Sequence, residues 1–339
     1  MTSPNDQRTS RILGALLGVH TGDSLGATLE FSPWSDIIRE YPTGLREIIG
    51  GGPFNWRAGH ATDDTDLTRA VLLAYRDYSE HSATGSKRAF NIAKCAAEYS
   101  LKWYEGDWPG RKKGSRPEDI GNATRVGIQE FRRTKNPAKC GAGQGSAGNG
   151  SLMRCIPTGL FGSPETRRDE SLAISAFTHN DTRCTVACAA YNEIVAALVE
   201  GKDVKEAVRL GKEVARELGL GLGGRQVVEA IEEGEGIQLA IAASLGPHSE
   251  FGVSASGYVL ASLKLAIAAV LDSRSFEDVL VDVVRIGGDT DTNGAIAGGL
   301  LGARDGVEEI PERWLRKLQF RKEFEEVARR IIELHSGSA

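Results

Sequence analysis

Apolar side chains recur at helical spacing along almost the whole of this 339-residue chain, and no other feature constrains its fold as strongly. From Asp66 onward, Leu67, Ala70, Val71, Ala74, Tyr75 and Tyr78 follow an i, i+3, i+4, i+7 pattern, which lays one apolar stripe along a helix. Val186, Ala189, Ala190, Ile194, Ala197 and Leu198 form another stripe, as do Leu260, Leu263, Ile267, Val270 and Leu271. Phe276, Val279, Leu280, Val283 and Val284 add one more, opened by Ser275 with Asp278 three residues on, a start that resembles a capping box. No alternating run is bounded by hairpin turns, so strands are few or absent. The spacing predicts an all-α fold.

Length alone admits one large core or two modest ones. Two stretches read as loops: Tyr104 to Asp119, rich in Gly, Pro, Lys and Arg, and Lys139 to Ser151, whose small residues cannot sustain a helix. Helical patterns resume directly on both sides of each, so neither is a linker between domains. The expectation is one compact domain over residues 10–335, preceded by a flexible tail over residues 1–9. Glycine supplies 41 of the 339 residues, well above the usual ~7%. Gly14, Gly18, Gly22 and Gly26 fall on one side of the first helix, a pattern that suits close packing against another helix.

Several functional classes drop out on composition. Apolar runs are broken well before the roughly 18 residues of a membrane span. Met1 to Thr9 lacks the apolar core of a secretory signal, which places the chain inside a cell, in the cytoplasm, with the nucleus left open. Five cysteines form no CxxC motif, and Cys184 and Cys188, one helical turn apart, read as buried small apolar residues. A formal net charge of -5 offers no basic footprint for nucleic acid. A monomer is expected.

The strongest chemical signal is a pair of similar short clusters at opposite ends of the chain: Thr62, Asp63, Asp64, Thr65 and Asp66, and Asp289, Thr290, Asp291 and Thr292. Each sits where a helix begins, the second after Gly287 and Gly288. Asp and Thr cap helices, but one cap needs one such residue. Adjacent carboxylates at two sites that met in space would repel unless protons or cations intervened. Asp63, Asp64, Asp289 and Asp291 carry four negative charges, which match two divalent cations. An all-oxygen ligand set suits magnesium, manganese or calcium, whereas zinc draws on His or Cys; a dinuclear magnesium centre is the first choice. Capping and metal binding both remain open on these grounds.

Gly148, Asn149, Gly150 and Ser151 form a small-residue loop whose backbone N–H groups can approach an anion, or an ordinary turn. The loop lacks the Walker and dinucleotide fingerprints. His179, ahead of the helix that carries Val186, is either a hydrogen-bonded structural histidine or a substrate contact. Tyr258 is either a core aromatic or a stacking surface for a base.

Five segments taken in order, GALLGVHTGDSLGATLEF, TDDT, GNGSLMR, TH followed by a polar pair, and IGGDTDTNGAIAGGLLGA, resemble the ADP-ribosylglycohydrolase family. The resemblance covers most of the chain. It implies an orthogonal all-α bundle of a dozen or more helices around two Mg2+ ions, with Mn2+ possible. Metal ligands would be Thr62, Asp63, Asp64, Asp289, Asp291 and Thr292. Glu30 matches an acidic residue near the metals. The GNGSLMR loop and His179 match segments that hold the diphosphate and ribose. The implied reaction is hydrolysis at C1'' of ADP-ribose through an oxocarbenium-like transition state, with Asp63, Asp64 and Asp289 fixing geometry and Glu30 or Asp289 taking the proton of the water.

Its expected substrate is an ADP-ribose-bearing protein, arginine-linked first, with a small metabolite such as O-acetyl-ADP-ribose or ADP-ribose 1''-phosphate as the alternative. Crystallin-like or purely ADP-ribose-binding relatives form a third class, but such proteins need not keep all six ligands. The sequence departs from the usual family pattern at Asp66, Asn293 and the pair Thr182-Arg183. Asp66 would ligate a metal or favour the helix start, and Arg183 and Arg154 would meet a phosphate or solvent.

Overall fold

Buried on nearly every side, the helices Thr182–Val199 and Val259–Leu271 form the centre of the molecule, as expected for helices without a polar face. The structure, a computed structural model, describes residues 4–86, 89–219 and 221–336. Among these it contains sixteen α-helices, two short 3-10 turns and no named strand, only isolated bridges. The all-α expectation therefore holds. Both predicted loops are irregular: the helix Ile92–Tyr104 stops where the first begins, and the next helix starts at Asn122. Ser275 caps the helix Phe276–Arg285 as anticipated, accepting from the Asp278 N–H at 3.1 Å and donating to the Asp278 carboxylate at 2.8 Å. Cys184 and Cys188 are fully buried, and all five cysteines are free thiols.

One helix–helix contact sets the position of everything functional. The N-terminal helix, Pro4–Gly26, runs antiparallel to the helix Thr290–Asp305, and the two meet glycine to glycine. Gly14 faces Gly302, Gly18 faces Gly298, Gly22 faces Gly294, and Gly26 faces the backbone of Thr290. A Cβ added at Gly22 would lie 1.9 Å from the Gly294 carbonyl oxygen, and one at Gly298 would lie 2.2 Å from that of Gly18. Only hydrogen side chains allow two helix backbones to approach this closely. The Thr290 hydroxyl closes the contact by donating to the Gly26 carbonyl at 2.7 Å. Because the pair is antiparallel, the end of the first helix arrives at the start of the other, and Glu30 is delivered beside Asp289 and Asp291.

The expected tail over residues 1–9 needs correcting. The helix already begins at Pro4, and its polar first turns are held to the body: Arg8 pairs with Glu200 at 2.8 Å, and Ser10 bonds Glu308. Polarity here marks an exposed helix face, not a free segment. Residues 1–3 of that expectation lie outside the described residues.

The glycine contact makes a direct prediction. Gly298→Ala should lower stability by about 3 kcal/mol or more, because overpacking against backbone finds no rotamer relief, and the melting temperature should drop by roughly 5 °C or more. Gly143→Ala, where a Cβ meets nothing within 4 Å, should leave the melting curve unchanged in the same assay.

Candidate functional site

The first acidic cluster opens the helix Asp63–Ala83. Thr62 is its N-cap, the hydroxyl accepting from the Asp64 N–H at 3.3 Å, and Asp63, Asp64 and Asp66 occupy the first turn, where the helix dipole favours anions. Asp23, on the N-terminal helix, locks this turn in place. Its Oδ2 accepts from the Thr62 N–H at 3.1 Å, the Thr65 N–H at 3.2 Å and the Thr65 hydroxyl. Thr65 is thus turned away from the cleft.

The second cluster begins after two tight glycines, Gly287 at φ 86° and Gly288 at φ 77°; a Cβ at Gly288 would press on the Ala255 carbonyl at 2.5 Å. Asp289 stands at the N-cap of Thr290–Asp305, yet its side chain makes no capping hydrogen bond. It accepts instead from the Asn149 amide at 2.7 Å, and Asn149 also donates to the Ser262 hydroxyl at 3.0 Å. Capping, one of the two readings open from sequence, therefore does not account for Asp289.

The two clusters meet. Asp64 Oδ2 accepts from the Thr62 hydroxyl at 3.2 Å and from the Thr292 hydroxyl at 3.3 Å, joining segments 228 residues apart in the chain. Carboxylate oxygens of Glu30, Asp289 and Asp291 lie within 4.8 Å of one another. Glu30 Oε2, Asp64 Oδ1 and Asp291 Oδ1 are buried without any hydrogen-bond partner. Buried oxygens of this kind are rare unless something else satisfies them.

Burial and mutual repulsion drive these acids toward their protonated forms. Desolvation first, then the charges of Asp119, Asp289 and Asp23, push Glu30 up to about 8. Burial pushes Asp23 up to about 7. Burial and Asp289 together push Asp119 up to about 6. Asp63, Asp64 and Asp291 are raised well above the usual carboxylate range, again by desolvation first and neighbouring carboxylates second. Among the described residues none of these acids is held in an ion pair, and the buried Arg154, which feels the charge of Asp63, donates its hydrogen bonds elsewhere. A cluster of hard oxygens with unsatisfied lone pairs and no ion pair fits divalent magnesium or manganese.

Glu30, Asp63, Asp119, Asp289, Asp291 and Thr292 line a cleft of about 670 Å³, a volume suited to a ligand of nucleotide size, whereas Thr62, Asp64 and Asp23 do not line it. Gly148, Asn149, Gly150 and His179 line it as well. The loop is pinned by backbone bonds from Asn149 N–H to the Gly257 carbonyl and from Val259 N–H to the Ala147 carbonyl, both 3.0 Å. His179 is buried beneath it, its Nδ1 2.8 Å from the Thr178 hydroxyl, and burial holds it down to about 3, so the ring is neutral.

Ser151 is a correction. It is fully buried behind the loop, its hydroxyl accepting from Ser175 at 2.9 Å, and it does not line the cleft. Arg154 meets neither phosphate nor solvent: it is fully buried and donates to the Gly150 carbonyl at 2.6 Å and the Thr178 hydroxyl at 2.6 Å. Asp66 points to the indoles of Trp103 and Trp108, each donating at 2.7 Å, so it is held by the protein. Asn293 ties its helix to the Ala255 carbonyl at 3.0 Å. Arg183 grips Asp181 through two bonds and lies over the ring of Tyr258, which is exposed and not part of the core. Two residues escaped the sequence reading. Asp23 was hidden inside the GDSLG stretch, and Asp119, which lines the cleft beside Asp63, closes a loop with no other chemical signal.

The description of the ADP-ribosylglycohydrolase family matches residues 4–339. The chain belongs to the ADP-ribosylglycohydrolase family. Its relatives include the ADP-ribosyl-[dinitrogen reductase] glycohydrolase of Rhodospirillum rubrum, 30% identical and covering 98% of both chains. An ADP-ribosylarginine hydrolase of Pseudomonas putida is 29% identical, over 97% of this chain and 79% of its own. A solved structure described as an ADP-ribosylglycohydrolase-related protein complex shares the fold at a TM-score of 0.73 and 28% identity, over 97% of this chain and 99% of that one. As a member of this family the protein is a hydrolase of ADP-ribose linkages. No helix among the described residues is long and apolar enough to cross a membrane.

The raised carboxylates predict a pH signature. A carboxyl whose folded pKa lies above its unfolded value stabilises the fold when protonated, and that contribution is lost as pH climbs through the folded value. With chelator present, stability should therefore fall between about pH 4 and 8, the window set by Asp23, Glu30 and Asp119. Magnesium should offset this loss, so the gap in melting temperature with and without the ion should widen as pH rises. A gap independent of pH would contradict the site as described.

Proposed function

We propose that the protein removes ADP-ribose from a modified protein side chain, arginine before others, by hydrolysis at C1'' in the cleft where the two acidic clusters meet. The observation that carries this reading is the junction itself: Asp64 bridging Thr62 to Thr292, with Asp289 tied to the small-residue loop through Asn149. The protein-bound assignment is supported by the activity named for the relative from Rhodospirillum rubrum, and the arginine assignment by that named for the relative from Pseudomonas putida.

Thr62, Asp63, Asp64, Asp289, Asp291 and Thr292 would hold two Mg2+ ions, or Mn2+, which supply positive charge for the ribose hydroxyls and acidify a water. The chain's own groups divide the remaining tasks. The Gly148–Gly150 loop, pinned from both sides, presents its backbone to the diphosphate, and neutral His179 supports it from beneath. Asn149 fixes the rotamer of Asp289. Glu30 lines the cleft and keeps one oxygen without a partner; with the surrounding carboxylates neutralised by bound cations it would ionise and take the proton of the attacking water, whereas Asp289 Oδ2 already accepts from Asn149. Asp119, held near 6 beside Asp63, is poised to exchange a proton with the departing group.

Chromatography of ADP-ribose released from arginine-linked, serine-linked, O-acetyl and 1''-phosphate substrates, with magnesium and with chelator, tests the reading. Chelator-sensitive release from the arginine-linked protein is expected. Release from the small esters alone would reassign the protein to metabolite turnover, and no release from any would leave an ADP-ribose binder. Asp63→Asn and Asp291→Asn should each lower kcat by roughly 100-fold or more with an unchanged fold. Asp119→Asn should lower kcat and flatten the pH–rate profile near 6, and a variant as active as the parent would remove Asp119 from the mechanism.

A further inference from the structure

Asp63 and Asp119 line two cavities, not one. On their far side from the glycine loop lies a second chamber of about 420 Å³, walled by Trp56, Trp103 and the residues 110–119 loop. The two cavities differ in charge. No lysine or arginine lines the cleft, whereas Arg57, Arg111, Lys112 and Arg116 line the second chamber.

None of these four makes an ion pair among the described residues, although carboxylates hold many arginines elsewhere on the surface, such as Arg46, Arg209 and Arg313. Arg111 is engaged with the carbonyls of Trp103 and Ser115, at 2.7 and 3.2 Å, and Arg116 lies over the ring of Tyr104. Arg57 and Lys112 stand exposed at the mouth. A single rim carboxylate, Glu118, opposes them. Charge therefore inverts along the chamber, from carboxylates at the junction with the cleft to cations at the rim. A complementary ligand carries a cation at its tip and anions behind it.

We propose that this chamber receives the acceptor, and that it selects an arginine side chain presented by an acidic stretch of polypeptide. The proposal rests on the hydrolase reading above, in which the nucleotide fills the cleft and the scissile bond lies at the carboxylates. The leaving group then has to lie on the side of Asp63 and Asp119 away from the glycine loop, and that side opens into the chamber. At the junction Asp119, which the metal assignment leaves free, accommodates the guanidine, while the rim cations meet Asp and Glu residues flanking it. Rim charges of this kind act mainly on encounter and are sensitive to salt.

Two labelled peptides test this, each with a central arginine, one flanked on both sides by three glutamates and the other by three glutamines. Fluorescence anisotropy should show the glutamate peptide binding at least about tenfold more tightly at low salt, with the advantage lost in the double variant Arg57→Glu, Lys112→Glu. Both positions are exposed, and a melting curve confirms that the variant folds. Equal binding of the two peptides, or no effect of the charge reversal, would overturn the proposal.

Kinetics supply the second arm. The double variant should raise KM at least about tenfold for the ADP-ribosylated glutamate peptide and leave KM for free ADP-ribosyl-arginine unchanged. An equal rise for both would show that the chamber serves the nucleotide, which also overturns the proposal. If the parent protein releases no ADP-ribose from either arginine substrate, the arginine reading fails, and the anisotropy measurement still decides the chamber.

Discussion

Two helix backbones in direct contact carry the site. Gly14, Gly18 and Gly22 against Gly302, Gly298 and Gly294 bring the first and last parts of the chain together with no side chain between them. The register of that contact determines where Glu30 ends and where Asp289 begins. A slip of one turn, about 5.4 Å, would separate the carboxylates by more than a metal–oxygen distance of roughly 2 Å allows. The acidic site is thus specified by glycines that never touch it.

The acids gathered there work against the fold. Each unit by which a pKa departs from its ordinary value corresponds to roughly 1.4 kcal/mol, and a protein of this kind is stable by only ~5–15 kcal/mol in all. Ionising Asp23, Glu30, Asp63, Asp64, Asp119 and Asp291 together, without counter-charge, would consume a large share of that margin. The large apolar body around them, including two helices buried on nearly all sides, sustains an arrangement that a small domain would not tolerate.

Most of this was legible in the sequence for a local reason. Helical stripes, caps and the two Asp/Thr clusters are patterns within a few residues, and four glycines at four-residue spacing mark a face without any knowledge of its partner. Other features depend on side-chain direction across the fold. Asp66 looks like another ligand until the indoles of Trp103 and Trp108, some forty residues on, are seen to claim it. Arg154 and Ser151 follow a loop that faces the cleft, yet their side chains turn inward to Thr178 and Ser175. Asp119 ends a stretch without periodicity, so only the folded chain brings it to Asp63. Polar residues at the start looked like a tail because an exposed helix face and a loose segment have the same composition.

The indoles that hold Asp66 give the molecule an optical property. Trp103 and Trp108 are two of five tryptophans, and both donate their N–H to a carboxylate that sits on the same first helical turn as Asp63 and Asp64. Indole emission responds to the electric field along its ring, and here Asp66 accepts from both N–H groups while Arg69 lies over Trp108 and Arg111 over Trp103. Two of the five indoles are therefore tied by hydrogen bonds to the helical turn that opens the acidic cluster, which places a label-free chromophore beside it.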